Sequence, residues 1–137
     1  MAAFVDTLAE PSAVEDTASA LLRFASRAQA TVTAHWSTQD PSQERTSVLE
    51  ISGTEGTIVT WPLHDKFSRG SLVLATADGE RDLPFEPAST HIAVLEDFAR
   101  AVVEGRGPAA TADDGLTAMR IQEAVYEASR TGRTVHL

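Results

Sequence analysis

The chain contains no cysteine, which excludes disulfides, thiolate metal sites and cysteine nucleophiles. It also contains no apolar run long enough to cross a membrane. The first twelve residues lack a basic segment and include Asp6 and Glu10, a pattern that does not fit a signal peptide. We therefore expect a cytoplasmic protein that does not bind membranes.

Positive charge is scarce as well. The 137 residues include 11 Lys/Arg and 20 Asp/Glu, so the formal net charge is −9, and Lys66 is the only lysine. An acidic chain without a basic cluster repels phosphate backbones, so we expect no nucleic-acid partner. The length predicts one domain, residues 1–137, that can bury a core without covalent staples.

Phosphate-binding and metal-binding motifs are also missing. No GxGxxG is present, and GTEG at 53–56 lacks the pattern of a phosphate loop. The histidines never occur at HxH or HxxxH spacing, so we expect no metal site; they are His35, His64, His91 and His136. The acid pairs Glu15–Asp16 and Glu96–Asp97 are expected to be solvated and not to act as a general acid and base. We assign no catalytic residue.

The first two-thirds of the chain shows the alternation of β-strands. Within VEDTASALLRF at 14–24, polar and apolar residues alternate, which is typical of a strand with one apolar face. Asp78-Gly79 is the predicted turn of the last hairpin, and 37–44 and 62–70 are predicted loops. The predicted strands are 2–6, 15–24, 30–36, 45–52, 57–61, 71–76 and 81–85.

The last third changes to a helical period. Apolar residues recur at helical spacing up to Gly105, which ends the first predicted helix. Thr111 and Asp114 form a predicted capping box for a second helix, which ends at Gly132. Residues 134–137 then predict a closing strand.

This order of elements predicts an α+β fold. We expect a large, mostly antiparallel, open-faced sheet with two C-terminal helices packed on one face and a closing C-terminal strand. The uncovered face could bind a ligand or another subunit. Its predicted residues are Thr17, Ser19, Arg23, Thr31, Thr33 and His35.

Three residues are candidate substrate contacts. His35 and Trp36 end the predicted strand 30–36, and His91 lies in the first turn of the first helix. An imidazole can exchange hydrogen bonds with hydroxyl groups, and an indole can pack against a sugar. Alternatives remain open, since both histidines could be ordinary surface residues. Trp36, like Trp61, is expected in the core rather than at a binding surface.

Three stretches resemble, in order, the C-terminal domain of the Gfo/Idh/MocA oxidoreductases. They are VEDTASALLRFASRAQATVTAHW, LEISGTEGTIV and HIAVLEDFARAVVEGRGPAATADDGLTAMRIQEAVYEASRTGRTVHL. The third is the most specific, because it combines two helix patterns with the ending EASRTGRTVHL. The resemblance extends from about Phe4 to Leu137.

The resemblance implies NAD(P)-dependent chemistry on sugars, inositols or related polyols for a full-length relative. In that family, a Rossmann domain with a glycine-rich loop and a lysine in an EKP-like motif precede this domain. Neither motif is found in this sequence, and Lys66 has the wrong neighbours. The resemblance therefore implies no cofactor site and no catalytic residue in this chain, with NAD(P) on a full-length relative or a partner chain.

The family also uses the open sheet face to form dimers or larger oligomers. Its substrate-contact regions lie near the positions of His35 and His91. Its first hairpin usually has a glycine near residue 27, where this chain has Arg27. Since a positive φ is costly for any other residue, we expect the turn to differ.

Three functions are consistent with these patterns. The first is a C-terminal domain that provides oligomerisation and part of a substrate pocket and cannot transfer hydride alone. The second is a stand-alone small-molecule-binding protein or cofactor-free catalyst that re-uses the sheet, with a pocket at His35, Trp36 and His91. The third is one subunit of a split oxidoreductase whose Rossmann half is another chain.

Overall fold

The computed structural model describes residues 1–9, 11–36, 48–61, 70–85 and 89–137. The predicted loop at 37–44, the beginning of the predicted strand 45–52, and residues His64 and Lys66 lie outside the described residues. Within them, strands precede helices, as expected. They are β1 (Ala2–Asp6), β2 (Thr17–Arg23), β3 (Gln29–His35), β4 (Leu49–Ser52), β5 (Thr57–Trp61), β6 (Ser71–Thr76), β7 (Gly79–Asp82), α1 (Thr90–Glu104) and α2 (Ala112–Thr131).

The chain forms two compact units. Unit 1 consists of Met1–Gln39 with Ala110–Leu137 and contains β1–β3 and α2. Unit 2 consists of Asp40–Ala109 and contains β4–β7 and α1. Each unit thus has one antiparallel sheet and one helix.

The sheet of unit 1 has the order β1-β2-β3. Residues directly opposite each other in antiparallel strands point to the same face. The register pairs Thr17 with His35, Ser19 with Thr33 and Leu21 with Thr31. These residues therefore share a face with Arg23, which confirms the grouping predicted from the alternation. We call it the open face.

Helix α2 packs on the opposite face of this sheet, against β1. Its N-terminus has the predicted capping box, with Thr111 and Asp114 bonded reciprocally. Ala128 of α2 is buried together with Ala3 and Ala20 of the sheet. Because these side chains are small, the helix can approach the sheet closely. The Val5 N–H donates to Ser129 Oγ at 2.9 Å and joins the strand to the helix.

The sheet of unit 2 is a meander of four strands, β4-β5-β6-β7. One face carries Leu49 and Ile51 on β4, with Ile58 opposite Ile51 on β5. Leu49 and Ile51 are exposed, although their alternation with polar residues along the strand is typical of an inward-facing pair. At the β4–β5 turn, a Cβ on Gly56 would lie 2.5 Å from the Ala75 carbonyl oxygen, so only glycine fits without movement.

Helix α1 ends as predicted at Gly105, whose φ of 65° suits glycine. The Asp97 carboxylate accepts hydrogen bonds from Arg106 at 2.7 Å and from the Ala109 N–H at 2.7 Å. These two bonds hold the segment after the helix against it. The N–H donor and the guanidinium lower the pKa of Asp97.

The α+β class and the antiparallel pairing are confirmed, and three details differ from expectation. The described strands are divided between a sheet of three strands and a sheet of four, where one large sheet was expected, and α2 packs on the sheet of unit 1. Residues 134–137 do not form a strand, because Val135 and Met1 exchange only one pair of hydrogen bonds, at 2.8 and 3.0 Å. Finally, the β6–β7 turn is Ala77-Asp78, and Gly79 begins β7 with a φ of 124°.

Candidate functional site

Two of the three candidate residues, His35 and Trp36, lie together where β3 ends. His35 pairs with Thr17, and Thr17 pairs with Asp6 in the neighbouring strand. Directly opposed residues have Cβ atoms about 4.5–5.5 Å apart. An imidazole, a hydroxyl and a carboxylate therefore follow one another across the end of the open face. We call these residues the Asp6–Thr17–His35 row.

Trp36 is at the surface, so its expected place in the core is wrong. The indole is 64% exposed, and its Nε1–H donates to the Glu15 carbonyl at 2.9 Å. The Trp36 backbone N–H donates to the Asp16 carbonyl at 3.2 Å. Trp36 follows the last residue of β3, and one hydrogen bond holds its ring while the other holds its backbone, so the ring keeps an accessible apolar face. The side chain of Trp61 lies outside the described residues.

One residue of the row, Thr17, is bonded to a buried carboxylate that the sequence did not predict. Asp16, expected to be solvated, is 1% exposed. It accepts hydrogen bonds from Leu8 N–H at 3.0 Å, Ala9 N–H at 2.8 Å and Thr17 Oγ1 at 2.8 Å. The carboxylate thus accepts from backbone N–H groups of the loop between β1 and β2, and it orients the Thr17 hydroxyl of the row.

A second acid near the row is also bonded. The Tyr126 hydroxyl of α2 donates to the Glu15 carboxylate. This bond favours the ionised acid and the protonated phenol, so it lowers the pKa of Glu15 and raises the pKa of Tyr126. Glu15 therefore links the segment before β2 to the helix.

His91 belongs to unit 2. It lies in the first turn of α1, where it is exposed, as the sequence predicted. His91 and His35 belong to different units, so a pocket that contains both residues stays a prediction.

The row offers hydrogen-bonding capacity for a hydroxylated ligand. Asp6 can accept, the Thr17 hydroxyl, whose proton is donated to Asp16, can also accept, and a neutral imidazole can both donate and accept. Within the described part of the chain, no group of three or more His, Cys, Asp or Glu residues is placed to hold a metal ion. In the same residues, no helix is long and apolar enough to cross a membrane.

The pyrophosphate of NAD(P) does not fit the N-terminus of α2, which its own capping box occupies. A dinucleotide pyrophosphate binds where backbone N–H groups at a helix N-terminus are free. At the start of α2, the Asp114 carboxylate already accepts from the Thr111 N–H at 2.8 Å, and Thr111 Oγ1 accepts from the Asp114 N–H at 3.2 Å. The capping box also lowers the pKa of Asp114. We therefore derive no step through a nicotinamide.

Comparison with known proteins agrees with the fold. The family model described as the C-terminal alpha/beta domain of an oxidoreductase family matches residues 2–137. The chain is 32% identical over 90 residues to a 1,5-anhydro-D-fructose reductase of Ensifer adhaerens, which covers 65% of the chain and 27% of that protein. It is 28% identical over 126 residues to D-xylose 1-dehydrogenase (NADP(+)) 2 of Haloferax volcanii, which covers 90% of the chain and 37% of that protein.

A solved structure supports the same relationship. The chain resembles aldose-aldose oxidoreductase from Caulobacter crescentus, complexed with glycerol, with a TM-score of 0.82 and 25% identity. The match covers 98% of this chain and 40% of the other. The chain thus spans well under half the length of the relatives that it matches.

Proposed function

Because the chain belongs to the Gfo/Idh/MocA oxidoreductases, as their C-terminal alpha/beta domain, we propose that it serves a sugar or polyol oxidoreductase. Its proposed tasks are to join subunits through the open face and to form part of the substrate pocket. It does not transfer hydride alone. A cytoplasmic location belongs to the same proposal.

The observation that carries the assembly role is an apolar pair on the open face. Phe4 is 75% exposed and Leu21 is 52% exposed, on the side of the sheet that α2 leaves uncovered. Ser19 and Thr31, which lie opposite them, surround this pair with hydroxyl groups. The same face of a second copy has matching apolar and polar groups, as a two-fold interface requires.

The pocket role is supported by the Asp6–Thr17–His35 row and the accessible face of Trp36. The names of the relatives include an anhydrofructose, a xylose and an aldose, all of which carry several hydroxyl groups. In our proposal, His35 and Trp36 contact such a substrate, and His91 of unit 2 stays a separate candidate contact. Hydride transfer needs NAD(P) bound to a Rossmann domain, either in a full-length protein or on a partner chain.

The assembly role is tested by native mass spectrometry of the wild type and of Leu21→Lys. A charge at the centre of the proposed interface should convert a dimer or larger oligomer into a monomer. Glu123→Lys, which changes the charge even more but on exposed α2 surface, should leave the oligomer intact. A monomeric wild type, or an oligomer insensitive to Leu21→Lys, would contradict this role.

The pocket role needs a separate measurement. We would follow amide chemical shifts of the chain during titration with xylose and glycerol. Shifts should concentrate at His35, Thr17 and Trp36 and weaken in His35→Ala. Shifts elsewhere only, or none, would contradict this role without affecting the assembly role.

Two alternatives are distinguished by purification and turnover. If NAD(P)H forms when the chain alone is mixed with NAD(P) and sugars, the chain is a complete catalyst and the main proposal is wrong. If a Rossmann-sized chain co-purifies in stoichiometric amount, the protein is one subunit of a split oxidoreductase. Sugar binding by a homo-oligomer that transfers no hydride with any added chain favours a stand-alone binding protein.

A further inference from the structure

Unit 1 has a second concave region, at the opposite end of its sheet from the Asp6–Thr17–His35 row. The row lies at Thr17, whereas this region lies at Arg23, six residues along β2 or about 20 Å away. A groove of about 770 Å³ opens there between the β2–β3 hairpin and the C-terminal segment. Its volume falls in the range of small-ligand pockets.

The groove is cationic although the chain is acidic. Among the described residues, Arg23, Arg27 and His136 line it, and no Asp or Glu does. Met1 and Leu137 also line it. In the part of the chain that the structure describes, neither Arg23 nor Arg27 has an ion-pair partner. Two guanidinium groups are thus available to an anion.

The backbone at Arg27 is strained. Its φ is 74°, and it is the only residue other than glycine with a positive φ among those described. The Arg27 N–H donates to the Phe24 carbonyl at 2.9 Å. This bond closes the three-residue loop of the β2–β3 hairpin, and Arg27 occupies the last loop position, where glycine is preferred. An arginine costs about 1–2 kcal/mol there. Strained backbone of this kind clusters at ligand-binding and active sites.

The rest of the lining is largely apolar. Leu22 from β2, Ile121 from α2 and Val135 from the C-terminal segment contribute to it. A fully hydrated anion such as inorganic phosphate would gain little from these side chains. A ligand with an anionic head and an aliphatic body would use both the guanidinium groups and the apolar wall.

We propose that this groove binds a small organic carboxylate with an aliphatic chain. Arg23 and Arg27 hold the carboxylate, for which the planar guanidinium fork is suited. Leu22, Ile121 and Val135 contact the chain of the ligand. The site is separate from the proposed sugar pocket, so either one can fail without the other.

Isothermal titration of the full chain with octanoate tests this proposal, with octanamide as the neutral counterpart. Octanoate should bind, and octanamide should bind at least about tenfold more weakly, because it lacks the charge that the arginines recognise. Arg23→Gln and Arg27→Asn should each weaken octanoate binding by about tenfold. Asparagine suits Arg27 because it tolerates a positive φ.

Arg120→Gln is the matched control, because it removes a positive charge from α2 outside the groove. It should leave octanoate binding unchanged. Circular dichroism would confirm that every variant is folded. Equal binding of octanoate and octanamide, equal binding by the two groove variants and the wild type, or no octanoate binding would overturn the proposal.

Discussion

Unit 1 and unit 2 each pair one antiparallel sheet with one helix, yet they bury their side chains very differently. In unit 1, Asp16 and four alanines of the sheet and α2 are buried. Among the described residues of unit 2, only Ala101 is buried. Many large apolar residues of unit 2 remain exposed; on the sheet they include Leu49, Ile51 and Ile58, and on α1 they include Ile92, Leu95, Phe98 and Val102.

The difference shows two ways of stabilising the same kind of layer. Unit 1 relies on close approach of small side chains and on specific hydrogen bonds. Unit 2 carries the residues that would gain about 1.5–3 kcal/mol each from full burial, but it leaves them in contact with water. We therefore expect substitutions in unit 1 to act through hydrogen bonds and caps, and those in unit 2 through backbone sterics. Hydrogen exchange of each unit's peptides can separate these effects.

The largest effect is expected from Asp16→Ala in unit 1. The substitution leaves the N–H groups of Leu8 and Ala9 without their acceptor, which should cost about 2–3 kcal/mol. Chemical denaturation and hydrogen exchange should show the loss in β1, β2 and their connecting loop. Asp113→Asn, an exposed substitution on α2, is the control and should cost much less. An unchanged β1–β2 loop would contradict the role of Asp16 as a buried anchor.

In unit 2, the largest loss of stability from adding a single methyl group is expected for Gly56→Ala. The new Cβ would lie 2.5 Å from a backbone oxygen of β6, so β5 and β6 must move apart, at about 1–3 kcal/mol. Gly53→Ala is the matched control, since its Cβ would meet only the Gly56 oxygen, at 3.7 Å. If the amide hydrogens of β5 and β6 exchange equally fast in both variants, the short distance between Gly56 and the Ala75 oxygen does not limit stability.

Thr111→Ala should weaken the start of α2 by about 1 kcal/mol. It removes the acceptor of the Asp114 N–H and one half of the capping box. The melting temperature should fall, with faster exchange in the first turn of the helix. Thr111→Ser retains the hydroxyl and should restore most of the loss, whereas an equal loss in both variants would argue against capping.

Arg27→Gly should instead stabilise unit 1, by about 0.5–1 kcal/mol. The gain comes from relief of the positive φ, less the larger entropy of glycine in the unfolded chain. Denaturant unfolding would measure it. Ser26→Gly, at the neighbouring turn position without a positive φ, should not stabilise. A stabilising Ser26→Gly with a neutral Arg27→Gly would contradict the strain.

The smallest effect on stability is expected from lowering the pH, and it concerns both units. Hydrogen bonds lower the pKa of Asp97 in unit 2 and of Asp114 in unit 1 below the ordinary value of about 3.9. A depressed pKa stabilises the fold at pH values above the unfolded pKa, and this contribution is lost as pH falls through the folded pKa. Asp97→Asn should therefore reduce the acid sensitivity of the α1 peptides only. Equal acid sensitivity in the wild type and the variant would count against the bonds to Arg106 and Ala109.

Local patterns in the sequence predicted the parts of the fold that depend on neighbouring residues. The open face of unit 1 followed from the two-residue period of β2 and β3. The helix ends followed from Gly105, Gly132 and the capping box of Thr111, because caps involve residues within one turn. These signals need no tertiary information.

The features that the sequence analysis missed depend on partners far along the chain or on the whole sheet. Asp16 is buried because a loop eight residues earlier folds over it, and an acid pair in the sequence does not signal this. Trp36 was expected in the core, but β3 ends at His35 and the indole bonds to the Glu15 carbonyl instead. The candidate His35 was found because it continues the alternation, while its partners Thr17 and Asp6 required the register.

The alanine core of unit 1 has a calorimetric consequence. The heat capacity of unfolding grows with the apolar area that becomes exposed, and the buried methyl groups of Ala3, Ala20 and Ala128 expose little. Unit 1 should therefore have a shallow stability curve, with modest changes over a broad range of temperature. If subunits associate through Phe4 and Leu21, much of the heat-capacity change of the protein would appear in assembly and not in folding of the protomer.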